Sequence, residues 1–233
     1  MFDALPQGWK PAPQPVLDLA RDAARQVLED EDTVKRVTQY YRRESNYAGA
    51  TFSQLNPNDP FSIGGSDLLA VHMLSVDIPQ VAVRRLTEPC SASAHLARLL
   101  GTDALDVDLN LQSAGFETLE AMSEFYVTVK AALRPVGAKT SSPKVTASKI
   151  CARKRPDLFP IMDKRVLRLL GTWDMRDYGM DWQVFRHLLE DEALMAALRN
   201  VVDQAAAIEG VSVGDPNCML RHLDVALWTS TLR

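Results

Sequence analysis

Apolar residues recur three and four positions apart along almost the whole chain, and no segment of useful length alternates apolar with polar residues. A helix returns to the same face every 3.6 residues and a strand every two, so this spacing predicts an all-α fold. The first stripe joins Val16, Leu19, Ala20, Ala23, Ala24, Val27 and Leu28. Asp32 then offers an N-cap for a second helix through Val34, Val37, Tyr40 and Tyr41. Later stripes cover 67–76, 80–88 and 91–100, and a long one from Gly115 to Leu133 carries Phe116, Leu119, Met122, Phe125 and Val129. Beyond residue 142 the expected helices follow Ser142-Pro143, follow Asp163 as far as Gly171, start at Asp181, run on to Gly210, and finally span about Asn217 to Trp228.

Punctuation sets the organisation. Pro6, Pro11, Pro13 and Pro15 make residues 1–15 an extended leader that packs at most on the surface. Residues 45–65, rich in Asn, Pro, Gly and Ser, read as a long connection, with Ser66 as N-cap of the next helix. The remaining chain, 16–233, is expected to form one helical array, divisible at most into a central lobe of about 60–150 and a second in which 16–59 packs with 151–233. With 46% hydrophobic and 24% charged residues, the 233-residue chain has the makeup of an ordinary globular protein. Cys90, Cys151 and Cys218 are too scattered for a disulfide framework or a Cys-x-x-Cys metal pair. His72, His95, His187 and His222 show no ligand spacing, so neither a metal nor another cofactor is expected. No signal-peptide pattern and no apolar run of about 20 residues occurs, which points to a cytoplasmic protein without a membrane partner.

Charge supplies the first functional clue. The segment from Lys130 to Arg168 holds eleven basic residues and two acidic ones, a net of +9, whereas the other 194 residues carry a net of −13. Such concentration suits an anionic partner, and a phosphodiester backbone is the commonest. A solvated basic helix balanced by the acidic remainder is the plainer reading. Within the segment, Lys144 falls in the first turn of a helix, where the dipole disfavours a cation and acidic residues are usual. The same pattern returns where Lys164 and Arg165 follow Asp163. Two helix starts loaded with cations read as anion seats.

The order of helix, tight loop, helix beginning near Lys144 with Thr146-Ala147, and then Phe-Pro-Ile-x-Asp ending at Asp163, resembles the core of the helix-hairpin-helix DNA glycosylase superfamily. Residues 67–86, preceded by Asp59-Pro60-Phe61, resemble the first helix pair of that core. Thr140 and Ser142 stand where the superfamily has hairpin glycines. Residues 146–163, T-A-S-K-x-x-A-R-K-R-P-x-L-x-P-I-x-D, with the terminal L-R-H-L-D-V-A-L-W, look more closely like a family found mainly in actinomycetes, over about residues 58–230.

The resemblance implies a DNA-directed N-glycosylase acting on a flipped modified or damaged base. It makes Asp163 the carboxylate that supports glycosidic cleavage and Lys144 the amine that attacks the sugar or holds phosphate. Lys139, Ser142, Lys149, Arg153, Lys154, Arg155, Lys164 and Arg165 become nucleic-acid contacts, with Trp173 and Trp182 as base-stacking platforms. A non-catalytic module that binds nucleic acid or a protein partner is the alternative. Asp224, inside the apolar helix, must find a cation, most cheaply Arg221.

Overall fold

The computed structural model describes residues 2–135, 137 and 143–232. Eleven α-helices form among the described residues, and no strand does; a single bridge pairs Arg42 with Val211. The helices are α1 (Gln14–Glu29), α2 (Thr33–Tyr41), α3 (Gly65–His72), α4 (Gln80–Thr87), α5 (Ser91–Leu100), α6 (Phe116–Leu133), α7 (Lys144–Lys154), α8 (Lys164–Leu169), α9 (Tyr178–Glu190), α10 (Glu192–Ala206) and α11 (Met219–Ser230). The all-α fold expected from the apolar spacing is present.

Several boundaries follow local chemistry. Asp163 Oδ1 accepts from Arg165 N at 2.8 Å and starts α8. Gly171 ends the turn that follows, at φ +77°, a left-handed conformation that a side chain would strain. Asp191 Oδ1 takes Leu194 N at 3.0 Å to start α10. Other boundaries depart from expectation. Gly64, not Ser66, caps α3, because the Asp67 carboxylate reaches back to Gly64 N at 2.9 Å. Asp177 caps α9 by accepting from Gly179 N, which leaves Asp181 one turn inside the helix and fully buried.

The leader also does more than lie on the surface. Phe2 and Ala12 are buried, and Trp9 packs its ring edge-on against Tyr178 and Trp182. Ala12 N and Lys10 O are both bound by the Gln183 amide. A Cβ at Gly179 would lie 2.7 Å from the Trp9 ring, so glycine lets this segment approach α9.

Packing divides the helices into two sets. α1 and α2 lie against α9, α10 and α11, while α7 packs on α3 and α6, and α6 carries α4 and α5. α8 joins α11. Phe125, Tyr126, Phe159, Trp182 and Phe185 are fully buried at the centre. Burying an aromatic side chain of 150–250 Å² contributes several kcal/mol at about 25 cal/mol per Å².

A cluster of cations ties the 52–60 connection to the end of α7. Arg153 Nε and Lys154 Nζ bind the two oxygens of buried Asp67, each at 3.0 Å. Arg153 also donates to Phe52 O at 2.6 Å and to Leu55 O, and Lys154 to Asn58 Oδ1 at 2.8 Å and Asp59 O at 2.6 Å. Arg155 spans Pro60 O, Leu100 O and Leu105 O. Leu100 closes α5, so this guanidinium meets the negative end of a helix dipole. The clamp holds the loop that leads into one wall of the cavity described next.

Candidate functional site

A cavity of about 130 Å³ lies between α2, the 46–49 segment, the end of α3, the middle of α7, residues 161–163 and α11. Tyr40, Tyr47 and Trp228 form its aromatic lining. Tyr47 stacks on Tyr40 at 5.5 Å between ring centroids, and Trp228 meets Tyr47 edge-on at 5.9 Å. Helical spacing presents Arg221, Asp224, Val225 and Trp228 to the same side of α11, which explains why four residues of one helix line one cavity. Gly49 permits the close approach of the 46–49 segment, since a Cβ there would lie 2.7 Å from the Tyr40 hydroxyl.

Four charged groups share this wall: Lys149, Asp163, Arg221 and Asp224. Arg221 Nη1 binds Asp224 Oδ2 at 2.5 Å, and its Nη2 reaches Tyr40 OH at 2.6 Å and Gly49 O at 3.3 Å. Burial of Asp224 pushes its carboxyl up to about 6, against the pull of Arg221 and with Asp163 adding to the rise. Asp224 Oδ1 is closed to solvent and has no hydrogen-bond partner among the described residues. Lys149 Nζ donates to Leu74 O at 2.7 Å, and burial holds its pKa below that of an ordinary lysine while Asp163 and Asp224 oppose the drop.

Behind the cavity, His222 fixes α11 to α2. Its Nε2 faces Asp215 O at 2.9 Å and must donate, so Nδ1 accepts from Tyr41 OH at 3.0 Å. Burial lowers the His222 pKa and keeps the ring in this neutral tautomer.

The profile of DUF6308, described as a family of unknown function, matches residues 33–231. The chain belongs to this family. No curated protein sequence and no solved structure matches it. The match spans both helix sets and every cavity-lining residue, so the cavity lies wholly within the family's own region.

In this member of the family the residues singled out from sequence fall into different places. Asp163 lines the cavity and caps α8 at once. Lys144 does not line it; Nζ makes a 2.6 Å ion contact with Asp181 Oδ2 and lies 5.8 Å from the Trp173 ring centre. The amine that shares the cavity with Asp163 is therefore Lys149, one and a half helical turns further along α7. That corrects the expectation of Lys149 as a backbone contact, because it is 5% exposed and turned inward.

The same correction applies to Arg153, Lys154 and Arg155. Their donors are spent on Asp67 and on loop carbonyls inside the protein, where no phosphate reaches them. Trp182 is fully buried among Trp9, Tyr126, Phe159 and Tyr178, so it is core and not a stacking platform. Trp173 is half-buried between Lys144 and Lys164, outside the cavity lining. Lys164 and Arg165 are exposed, although Arg165 donates to Thr231 O at 3.1 Å. Lys139 and Ser142 lie outside the described residues.

Sequence reasoning missed Tyr40, Tyr47 and Trp228 as cavity walls, since each sits in a stripe that reads equally well as core. Asp224 gave a signal, a carboxylate in an apolar helix, and its predicted partner Arg221 is the one it has. No group of His, Cys, Asp and Glu side chains among the described residues is placed to hold a metal ion. What the wall offers is an aromatic enclosure, two carboxylates, a guanidinium already engaged, and an amine of lowered basicity. That set can hold a planar ring and steady positive charge developing beside it.

Proposed function

We propose that this protein cleaves an N-glycosidic bond, taking a nucleobase everted from DNA into the aromatic cavity with its sugar at Asp163. The observation that carries the reading is that Asp163, the residue matched to the glycosylase carboxylate, shares one cavity with Tyr40, Tyr47 and Trp228. A cavity of about 130 Å³ compares with the roughly 150 Å³ space that encloses a benzene ring. As the bond from sugar to base breaks, its electron pair leaves with the base, and the sugar gains oxocarbenium character facing the carboxylate. Water then adds to the anomeric carbon and gives up a proton. Fixed negative charge at Asp163 favours that cation without reorganisation. Lys149, held on Leu74 O, supplies an N–H to the departing base. Lys164, Arg165 and Arg168, exposed on α8 directly after Asp163, supply the backbone contacts.

The test is base release from duplexes carrying a panel of modified bases. Asp163→Asn keeps an oxygen for Arg165 N, so the fold persists while release falls by about 100-fold or more. Absence of release from every duplex by the unaltered protein overturns the reading, and equal release from free nucleosides overturns its DNA component.

A further inference from the structure

The cavity contains an acceptor that the protein leaves unused. Of the two Asp224 oxygens, Oδ2 is engaged by Arg221, whereas Oδ1 has no partner among the described residues and is shielded from bulk solvent. An unmade hydrogen bond on a buried carboxylate is costly and calls for an explanation. A trapped water explains it poorly. The second void beside Asp224 has a volume of about 10 Å³, at the lower limit for one water, and Phe52, Ala152, Phe159 and Leu220 in its wall offer apolar surface instead of the several partners a buried water needs.

A complementary donor stands across the same cavity. Lys149 carries three N–H bonds, of which Leu74 O takes one. An acceptor on α11 and a donor on α7 thus face one aromatic-lined space large enough for one six-membered ring and too small for a fused bicycle. We propose that the base bound here is a pyrimidine, presenting an N–H donor to Asp224 Oδ1 and a neighbouring carbonyl or ring nitrogen to Lys149. This assignment of a base class rests on the nucleobase reading above, but it concerns binding and not bond cleavage.

The experiment is calorimetric titration of the whole protein with free bases: cytosine, uracil, N4,N4-dimethylcytosine, 3-methyluracil and adenine. Cytosine or uracil is expected to bind about tenfold or more tightly than its methylated counterpart, which lacks the donor, and more tightly than adenine. Asp224→Asn is expected to remove the preference for the unmethylated bases. Should that variant not fold, the comparison of methylated and unmethylated bases on the unaltered protein still decides. Equal binding of the methylated bases, adenine as the best ligand, or no binding of any base overturns the proposal. The two claims fail separately: selective pyrimidine binding without base release from DNA leaves this one standing and removes the glycosidase. Asp163-dependent release with no discrimination among the free bases does the reverse.

Discussion

Asp224 carries the clearest pH signature of any residue in the cavity. Its folded-state value of about 6 lies above the roughly 3.9 of an exposed aspartate, so folding takes up a proton in the interval between them. The stability this gives is fully present below about pH 4 and is lost as pH rises through 6. At about 1.4 kcal/mol per unit, the loss reaches up to about 3 kcal/mol. Asp224→Asn removes this dependence and also leaves Arg221 without its ion partner, a separate cost that does not vary over the same range. Urea unfolding of both proteins from pH 4 to pH 7 is expected to show the stability of the unaltered protein, relative to the variant, falling by that amount. Parallel profiles would mean that Asp224 does not titrate there.

At the scale of helices, α7 is held at both ends by buried charge, and this accounts for much of the basic segment. Its last turn grips the 52–60 connection through Arg153, Lys154 and Asp67, and its first turn docks on α9 through Lys144 and Asp181. The Asp181 side chain has no exposure, and burial raises its pKa despite the neighbouring lysine. Lys144→Met is therefore expected to cost about 3–5 kcal/mol at pH 7, because it strands a buried carboxylate. The deficit shrinks at pH 5 as that carboxyl protonates. Lys144→Met with Asp181→Leu is expected to recover most of the stability, since both charges leave the interior together. Denaturant unfolding of the single and double variants measures this, and a Lys144→Met protein of unchanged stability would show that the ion contact contributes nothing.

For the molecule as a whole, the net +9 of residues 130–168 divides into an inner and an outer part, and only the outer part can meet DNA. Replacing exposed Lys164, Arg165 and Arg168 by Ala is expected to lower the slope of log affinity against log salt by about three, with the fold intact. Replacing Lys154 and Arg155 is expected to lower the melting temperature instead. Binding titrations at several salt concentrations, with melting curves alongside, separate the two effects. The sequence by itself determined that the chain is all-α, where most helices begin and end, that Asp163 caps α8, and that Asp224 needs Arg221. All of these depend on contacts within a few residues, which periodicity and capping chemistry report directly. Only the tertiary structure decided which way the cations point. Asp67 lies 86 positions from Arg153 and Asp181 lies 37 from Lys144, so no local pattern shows that these basic side chains have carboxylates waiting inside the fold. The cavity is of the same kind: Tyr40, Lys149, Asp163 and Trp228 meet only because α2, α7 and α11 converge, and chain entropy hides such long-range meetings from local sequence.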